Sequence, residues 1–529
     1  MADSEERDHA PPSPLRRVWW LMGLYALLAL LVVPVFPHLP SANEFSRWAL
    51  TVALVEQGSP EVSPALALLG DRIPDLATVG GRIYSNKAPG ASLAAIPAYA
   101  LARLVVGPPN PENLRASVTA MRLAIATLPL LLLCLAFARQ AQRAAVAPER
   151  IAFAVAVMLL GTPLFAYGLL LFSHAVTAAA LFGAWLLLFG ESRLRPSSRE
   201  LLAGALLGLA AISEYPTVVP GAVLVACSLR RRGLVGALRV AAGALPLLAV
   251  LAVYNHAAFG SVLALSVAFE RTAEFRTQRQ VGLWGIGFPS PIIAARLLLD
   301  PRKGLLVFSP VLVSAFVAIP EAWRKLDRSA FWALVLVPLS LLVVYAGFRD
   351  WHGGWTVGAR YLVPAMPFLA YLLVTGRPRA GDSYLLGASV LAVVLTSLVF
   401  PFVSEGYAFP WVSFATPLLA KGLVAPNLLH HLSRALAIVV PFLLVVAAVL
   451  VTVGSRRCLH ALAGMTVWAL VSILCVAQWY PEGDGSRWYV EKSYFERLDV
   501  FRNPPPPIHP WTLRQMQFDR LLPPSSWPF

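Results

Sequence analysis

The sequence predicts an all-α, polytopic membrane helical bundle of about thirteen transmembrane helices. Three observations predict it. Apolar residues make up 58% of the 529 positions and charged residues only 13%, against roughly 45–50% and 25% in soluble domains. The apolar residues fall in runs long enough to cross a hydrocarbon core of about 30 Å. The Lys and Arg fall between those runs in short clusters, which is the distribution of a membrane topology signal. A net charge of +15 could suit nucleic acid, but the cations form no continuous basic face, so no nucleic-acid partner is expected.

The basic clusters at Arg16-Arg17, Arg139 to Arg150, Arg193 to Arg199, Arg230 to Arg239, Arg324 to Arg328, Arg377 to Arg379 and Arg456-Arg457 mark the cytoplasmic side. Residues 1–17 form a cytoplasmic N-terminal segment, and 18–37 form a first span that is retained rather than cleaved. The chain returns at 118–138, which leaves 38–117 outside. An apolar stretch at 89–107 cannot cross without inverting every later loop, so it reads as a helix in the interface or re-entering it. Further spans are expected at about 151–170, 174–190, 234–254, 305–320, 329–346, 360–376, 384–404, 434–453 and 459–479. Two short arms, 201–212 and 216–229, meet at Ser213-Glu214-Tyr215-Pro216 in a buried hairpin tip. The membrane domain is thus 18–479, with outer loops at 38–117, 255–304, 347–359 and 405–433. A Pro/Trp-rich tail over 480–529 lies outside the cell, and the N-terminus inside. Cys134, Cys227, Cys458 and Cys475 have no metal-ligand spacing, and no disulfide is expected.

Chemistry is sought in the outer loops. Ser41-Ala42-Asn43-Glu44 fits a capping box, with Phe45, Trp48, Ala49, Val52 and Val55 forming an apolar helical stripe. A second reading of Glu44 stands beside it: a carboxylate near the membrane surface, with Arg47 as its neighbouring cation, is suited to general-base work. Lys87 is either a lysine snorkelling to the headgroups or a phosphate ligand at the N-terminus of a helix starting at Pro89. The segment Asp350 to Tyr361 combines four glycines with Trp351, His352, Trp355, Arg360 and Tyr361. Such residues let backbone approach a ligand, stack on sugar rings and neutralise a phosphate. His174 and His256 fall at outer helix ends, where a structural histidine is the ordinary case. The spacing supports no particular metal site, and a divalent metal stays open.

One span, an outer loop opening on an acidic residue, the Tyr84-x-x-Lys87-x-Pro89 segment and some thirteen spans together resemble the GT-C superfamily of integral-membrane glycosyltransferases. The closest resemblance is to its aminoarabinose transferase and protein O-mannosyltransferase branch. It implies a GT-C-like fold with interfacial helices in the first outer loop, and inverting transfer of a sugar from a polyprenyl-phosphate donor to an extracytoplasmic lipid, glycan or protein. The family's Asp-Glu pair falls on Asn43-Glu44, and its Lys-Pro-Pro stretch on Lys87-Ala88-Pro89. The resemblance implies Glu44 as the base, Lys87 and Arg360 on the donor phosphate, and Asn43, Arg47, Tyr84, Asn86, His174, Trp351, His352, Trp355 and Tyr361 around the substrates. No cofactor is named, and membrane lipids are expected partners. The alternative is a flippase or transporter of lipid-linked sugars, for which Glu214 is the intramembrane acid. A noncatalytic scaffold or a glycan polymerase or ligase is the third reading.

Overall fold

A computed structural model describes residues 15–32, 41–67, 75–110, 113–480, 487, 490 and 491. Residues 1–14 and almost all of the 480–529 tail lie outside the described residues, so the expectations for both ends do too. Five helices are long and apolar enough to cross a membrane: Leu114–Arg143, Tyr215–Phe259, Arg328–Ala346, Gly381–Val399 and Arg434–Trp479. They make the chain a multi-pass membrane protein. Their outward side chains agree, since Leu132, Leu245, Val253, Leu443 and Leu474 are all exposed. So much apolar surface is an aggregation face in water and an ordinary contact face in lipid.

In chain order the helices are α1 (Arg16–Val32), α2 (Ala42–Gln57), α3 (Ser63–Ala67), α4 (Gly90–Val106), α5 (Leu114–Arg122), α6 (Leu128–Arg143), α7 (Pro148–Leu160) and α8 (Leu164–Tyr167). A second group comprises α9 (His174–Phe189), α10 (Pro196–Ser213), α11 (Val218–Phe259), α12 (Ala273–Arg279), α13 (Pro291–Leu299) and α14 (Leu305–Phe308). The last group is α15 (Val313–Val317), α16 (Ile319–Lys325), α17 (Arg328–Ala346), α18 (Met366–Thr375), α19 (Gly381–Val390), α20 (Thr396–Val399), α21 (Thr416–Ala420) and α22 (Arg434–Trp479).

The chain departs from the sequence reading in several places. The all-α expectation misses an antiparallel hairpin, β1 (Leu76–Val79) with β2 (Arg82–Ser85), in which Val79 pairs with Arg82. Its turn is Gly80-Gly81, both at positive φ, where any other residue would be strained. The spans expected over 151–170 and 305–320 are interrupted, at Gly161 to Pro163 and at Ser309-Pro310, because proline supplies no N–H to the helix ladder. Helix α10 starts at Pro196 and is longer than the short arm expected over 201–212.

Helix α11 is two helices joined at Gly233, whose φ of 66° and ψ of −178° break the ladder. Its two arms meet the same helix. Gly221 faces Leu207, while Gly204 and Gly208 of α10 lie against Val240 and Ala244. Arg232 and Arg239, on either side of the break, lie 4.0 and 3.2 Å from the Glu200 carboxylate. The chain therefore reverses at Gly233. Since α10 rises about 1.5 Å per residue, the Gly233 end is separated from the Glu214 end by most of a membrane thickness.

Two apolar clusters result. The larger joins the long helices, with Phe137, Phe182, Trp185 and Tyr371 at its centre. The smaller joins α2, the hairpin, α4 and α5 to the end of α11, through Phe45, Trp48, Leu76, Tyr84, Tyr99, Tyr254 and Phe259. The segment from α2 to α5 is thus a packed unit with a core of its own. Helix α2 carries no single apolar stripe, because every residue from Asn43 to Ala53 is buried.

A Cβ at Gly204 would run into the Val240 carbonyl of the neighbouring helix backbone. Gly204→Val should destabilise the protein by about 1–3 kcal/mol, the usual cost of overpacking, read as a lowered melting midpoint in detergent; an unchanged midpoint would mean that α10 and α11 do not touch there.

Candidate functional site

Helix α2 brings its polar residues under the loop rather than onto the membrane surface. The capping box does not form, for Ser41 makes no side-chain cap bond. Glu44 is fully buried. Its oxygens accept from Arg122 Nε at 2.8 Å and Nη2 at 2.6 Å, and Oε1 accepts from the Leu171 amide at 2.6 Å. Both oxygens of the expected base are engaged, and Arg122, not Arg47, is its ionic partner. A carboxylate so held has no open face for an acceptor proton, so the base role expected of Glu44 lacks a geometry. Its role here is to tie α2 to α5 and to the turn before α9.

Arg47, one helical turn on, points elsewhere. Its guanidinium donates to Ser173 Oγ at 2.7 Å, to Glu214 Oε1 at 3.3 Å and, closely, to Asn43 Oδ1. Glu214 also accepts from the Ser173 hydroxyl, and its Oε1 lies 3.4 Å from His174 Nδ1. The His174 ring stands 5.0 Å from Tyr167 and 6.5 Å from Tyr361. Glu214 is therefore the hub of a polar cluster at the N-terminal end of α9 and the C-terminal end of α10.

The hairpin carries the second half. Lys87 follows β2, and its ammonium lies 3.0 Å from Asp75 Oδ1, just before β1, with both side chains 16% exposed. Asn86 donates to Glu270 Oε2 at 2.8 Å, and Arg279 Nε sits 3.5 Å from Glu270 Oε1. Burial lowers the Lys87 ammonium from its ordinary pKa, while Asp75 and then Glu270 pull it back up. Burial alone would raise Asp75, but Lys87 outweighs it and holds the carboxyl below its usual value. Glu270 goes the other way: burial dominates and raises it despite Lys87, Asn86 and Arg279.

Arg360 stands between the halves. Its charge acts on Lys87, Asp75, Arg47 and His174 alike. Its Nη2 donates to the Tyr361 hydroxyl at 2.9 Å, and Tyr361 is stacked on Tyr345 at 4.5 Å. No carboxylate among the described residues lies within 4.0 Å of this guanidinium, and its Nε is buried without a partner. The preceding loop is latched by Lys303, which donates to the carbonyls of Gly354, Thr356 and Val403 at 3.1, 2.5 and 3.0 Å. Within it, His352 Nε2 lies 3.2 Å from Asp350 and Nδ1 lies 3.8 Å from Glu405.

Of the residues expected from the sequence, Asn43, Arg47, Asn86, Lys87, His174, Arg360 and Tyr361 come together in one cluster. Trp351 and His352 flank it on the Arg360 side, with Arg296 over the Trp351 ring at 5.8 Å; Trp355 packs on the main core. Tyr84 does not join, since its ring packs on Phe259 at 5.6 Å. His256 is exposed on α11. Asp75, Ser173, Glu270 and Arg279 are additions, as is Glu214 in this role. The one available signal for Asp75 was Gly80-Gly81 between apolar alternating residues, a hairpin signature that carries its flanks back to one place. No group of three His, Cys, Asp or Glu suited to a metal ion occurs among the described residues.

The path of the chain is similar to several solved structures. ArnT from Cupriavidus metallidurans in the apo state has 15% identity over 86% of this chain and 76% of its own, with a TM-score of 0.49. The oligosaccharyltransferase of Archaeoglobus fulgidus tethered to an acceptor peptide has 13% identity over 82% and 55%, with a TM-score of 0.42. The arabinosyltransferase EmbB from Mycobacterium smegmatis has 12% identity over 91% and 43%, with a TM-score of 0.38. No protein-family model matches the sequence, and no curated protein matches it.

Removing Arg122 would strand the Glu44 carboxylate in the interior, which costs about 3–5 kcal/mol for a buried pair. Arg122→Met should lower the melting midpoint sharply, and the double variant Glu44→Leu/Arg122→Met should recover much of the loss. A single variant as stable as the parent would show that the pair is not buried.

Proposed function

We propose that the chain is a membrane glycosyltransferase that moves a sugar from a polyprenyl-phosphate-linked donor to an extracytoplasmic acceptor. The observation that carries the reading is the charge balance of the cluster. Arg47 faces Glu214, Lys87 faces Asp75 and Arg279 faces Glu270. Arg360 makes no such close pair: no carboxylate among the described residues lies within 4.0 Å, and Asp350 and Asp75 act on it only at longer range. A guanidinium without a close carboxylate in a low-dielectric pocket attracts an anion, and a phosphate fits its fork. The polyprenyl carrier comes from the resemblance of the sequence. The positive-inside pattern supports an outer location for the cluster, a cytoplasmic N-terminus and about thirteen spans.

The reaction is a single displacement with inversion. The acceptor oxygen or nitrogen bonds to the anomeric carbon as the bond from that carbon to the phosphate oxygen breaks, and the polyprenyl phosphate departs with the electron pair. Arg360 and Lys87 stabilise the charge that grows on it. Asp75 takes the proton. It is ionised while paired with Lys87, and a phosphate that draws Lys87 away leaves that carboxylate free and raises its affinity for a proton. Arg47, Ser173 and His174 hold Glu214 in place at the floor of the site. Asn86, bonded to Glu270, and the Trp351-His352 segment line the space for the sugar.

In proteoliposomes supplied with polyprenyl-phosphate sugars, Arg360→Ala and Lys87→Ala should each lower transfer on the order of 10² to 10³-fold, and Asp75→Asn on the order of 10² to 10⁴-fold. Arg360→Ala should melt near the parent temperature, while Lys87→Ala and Asp75→Asn, which break a largely buried pair, should melt lower, so transfer is compared per folded protein at a temperature where each variant is folded. Parent-like transfer by Arg360→Ala would remove the phosphate site, and parent-like transfer by Asp75→Asn would remove only the proton acceptor. Mass spectrometry of lipid-linked and mature glycans from cells with and without the protein would then identify sugar and acceptor.

A further inference from the structure

At the far end of the bundle, a cavity of about 560 Å³ opens between α11 and α17, lined by Ala226, Cys227, Arg230, Trp323, Arg328, Ser329, Trp332 and Leu336. Its place follows from the helices. Arg230 is three residues before the Gly233 reversal, on the side of Glu200 rather than Glu214, and Arg328 opens α17, whose other end reaches Tyr345 beside the candidate site. The cavity and the site are thus a helix length apart, in opposite leaflets.

Its chemistry is mixed in a definite way. Arg230 makes no hydrogen bond or ion pair among the described residues and is exposed. Arg328 donates to the Trp323 carbonyl, and its guanidinium lies flat over the Trp323 ring at 3.5 Å, which fixes its direction. Trp323 and Trp332 are 38% and 45% exposed and meet edge to face at 5.9 Å. The nearby acids are engaged: Asp327 caps α17 through the amides of Ser329 and Ala330, and Glu321 pairs with Arg379 at 3.1 Å. Two cations that face a cavity, two indoles at its rim and apolar walls at Ala226 and Leu336 match one kind of molecule. Arginine forks bind a phosphodiester, indoles favour the headgroup level, and apolar walls take the start of an acyl chain.

We propose that this cavity is a binding site for an anionic phospholipid of the leaflet opposite the candidate site, with its phosphate between Arg230 and Arg328 and its chains along α11 and α17. Positive-inside placement makes this the cytoplasmic leaflet, where anionic lipid headgroups and basic clusters attract one another. The site does not depend on the sugar-transfer reading, since none of its residues touches the other cluster.

The test is native mass spectrometry of the full-length protein in detergent with phosphatidylglycerol or phosphatidylcholine added. The parent should retain phosphatidylglycerol preferentially, and Arg230→Gln/Arg328→Gln should weaken that binding roughly thirtyfold. Arg456→Gln/Arg457→Gln, which removes the same charge away from the cavity, should leave it unchanged. Melting of each variant without added lipid separates misfolding from lost binding, and Trp332→Ala offers a second variant that keeps both arginines and should also release lipid. Equal retention by the Arg230/Arg328 variant and the parent would overturn the proposal. So would equal loss in the Arg456/Arg457 control, no preference for phosphatidylglycerol, or displacement by inorganic phosphate at the same concentration.

Discussion

Charge can be kept inside a bundle of low dielectric only where an opposite charge meets it, and the unit formed by α2, the hairpin, α4 and α5 is assembled under that constraint. Desolvating a carboxylate or guanidinium costs several kcal/mol, which is recovered only by close, well-bonded partners. The Glu44–Arg122 pair satisfies this with two short bonds plus a backbone amide. It joins α2 to α5, and the amide of Leu171 adds the approach to α9. With α2 held by that pair, Arg47 on its next turn can only point toward Ser173 and Glu214. The unit is therefore positioned by electrostatics first and by the apolar cluster of Phe45, Trp48 and Tyr99 second, since apolar packing alone is non-directional.

How much of this was legible in the sequence follows from the same constraint. Cations in the outer loops were readable singly, because Arg47, Lys87 and Arg360 each stand where a membrane protein seldom keeps a charge without use. Their partners were not readable. Arg122 lies 78 positions from Glu44, Glu214 lies 167 from Arg47, and Glu270 lies 184 from Asn86. Pairings across such separations are set by how helices pack, and local spacing holds no record of that. Glu44 illustrates this: an acid near the membrane looks chemically active until its partner is known, and Arg122 lies inside the span expected over 118–138. The helical character of the chain was legible from apolar runs, as was the helix at 90–106. The interruptions at Pro163 and Pro310 were signalled by those prolines, and the hairpin by Gly80-Gly81; a strand of four residues is simply too short to stand out in an apolar background.

The cation without a close ionic partner, Arg360, is the part of the arrangement that folding alone does not explain. A bundle selected only for stability would pair Arg360 or replace it with an apolar residue, since truly buried pairs contribute little net stability and unpaired charges cost more. Instead Arg360 is braced from one side by Tyr361, itself stacked on Tyr345, while the loop before it is latched by Lys303 on three carbonyls. Lys303 is buried so completely that its ammonium is pushed down to about 8, burial being the main cause. A rigid support for a charge that no carboxylate closely pairs is what preorganised electrostatic stabilisation requires, because the donors need not reorganise as negative charge develops. The same logic separates Arg360 from Arg47. Both neighbour His174 and both keep a buried Nε without a partner, but the Nη groups of Arg47 are spent on Asn43, Ser173 and Glu214, whereas Arg360 donates only to the Tyr361 hydroxyl and makes no close ion pair. The first is a structural cation and the second is open to a ligand, a distinction that residue type and position could not make and that partner geometry does.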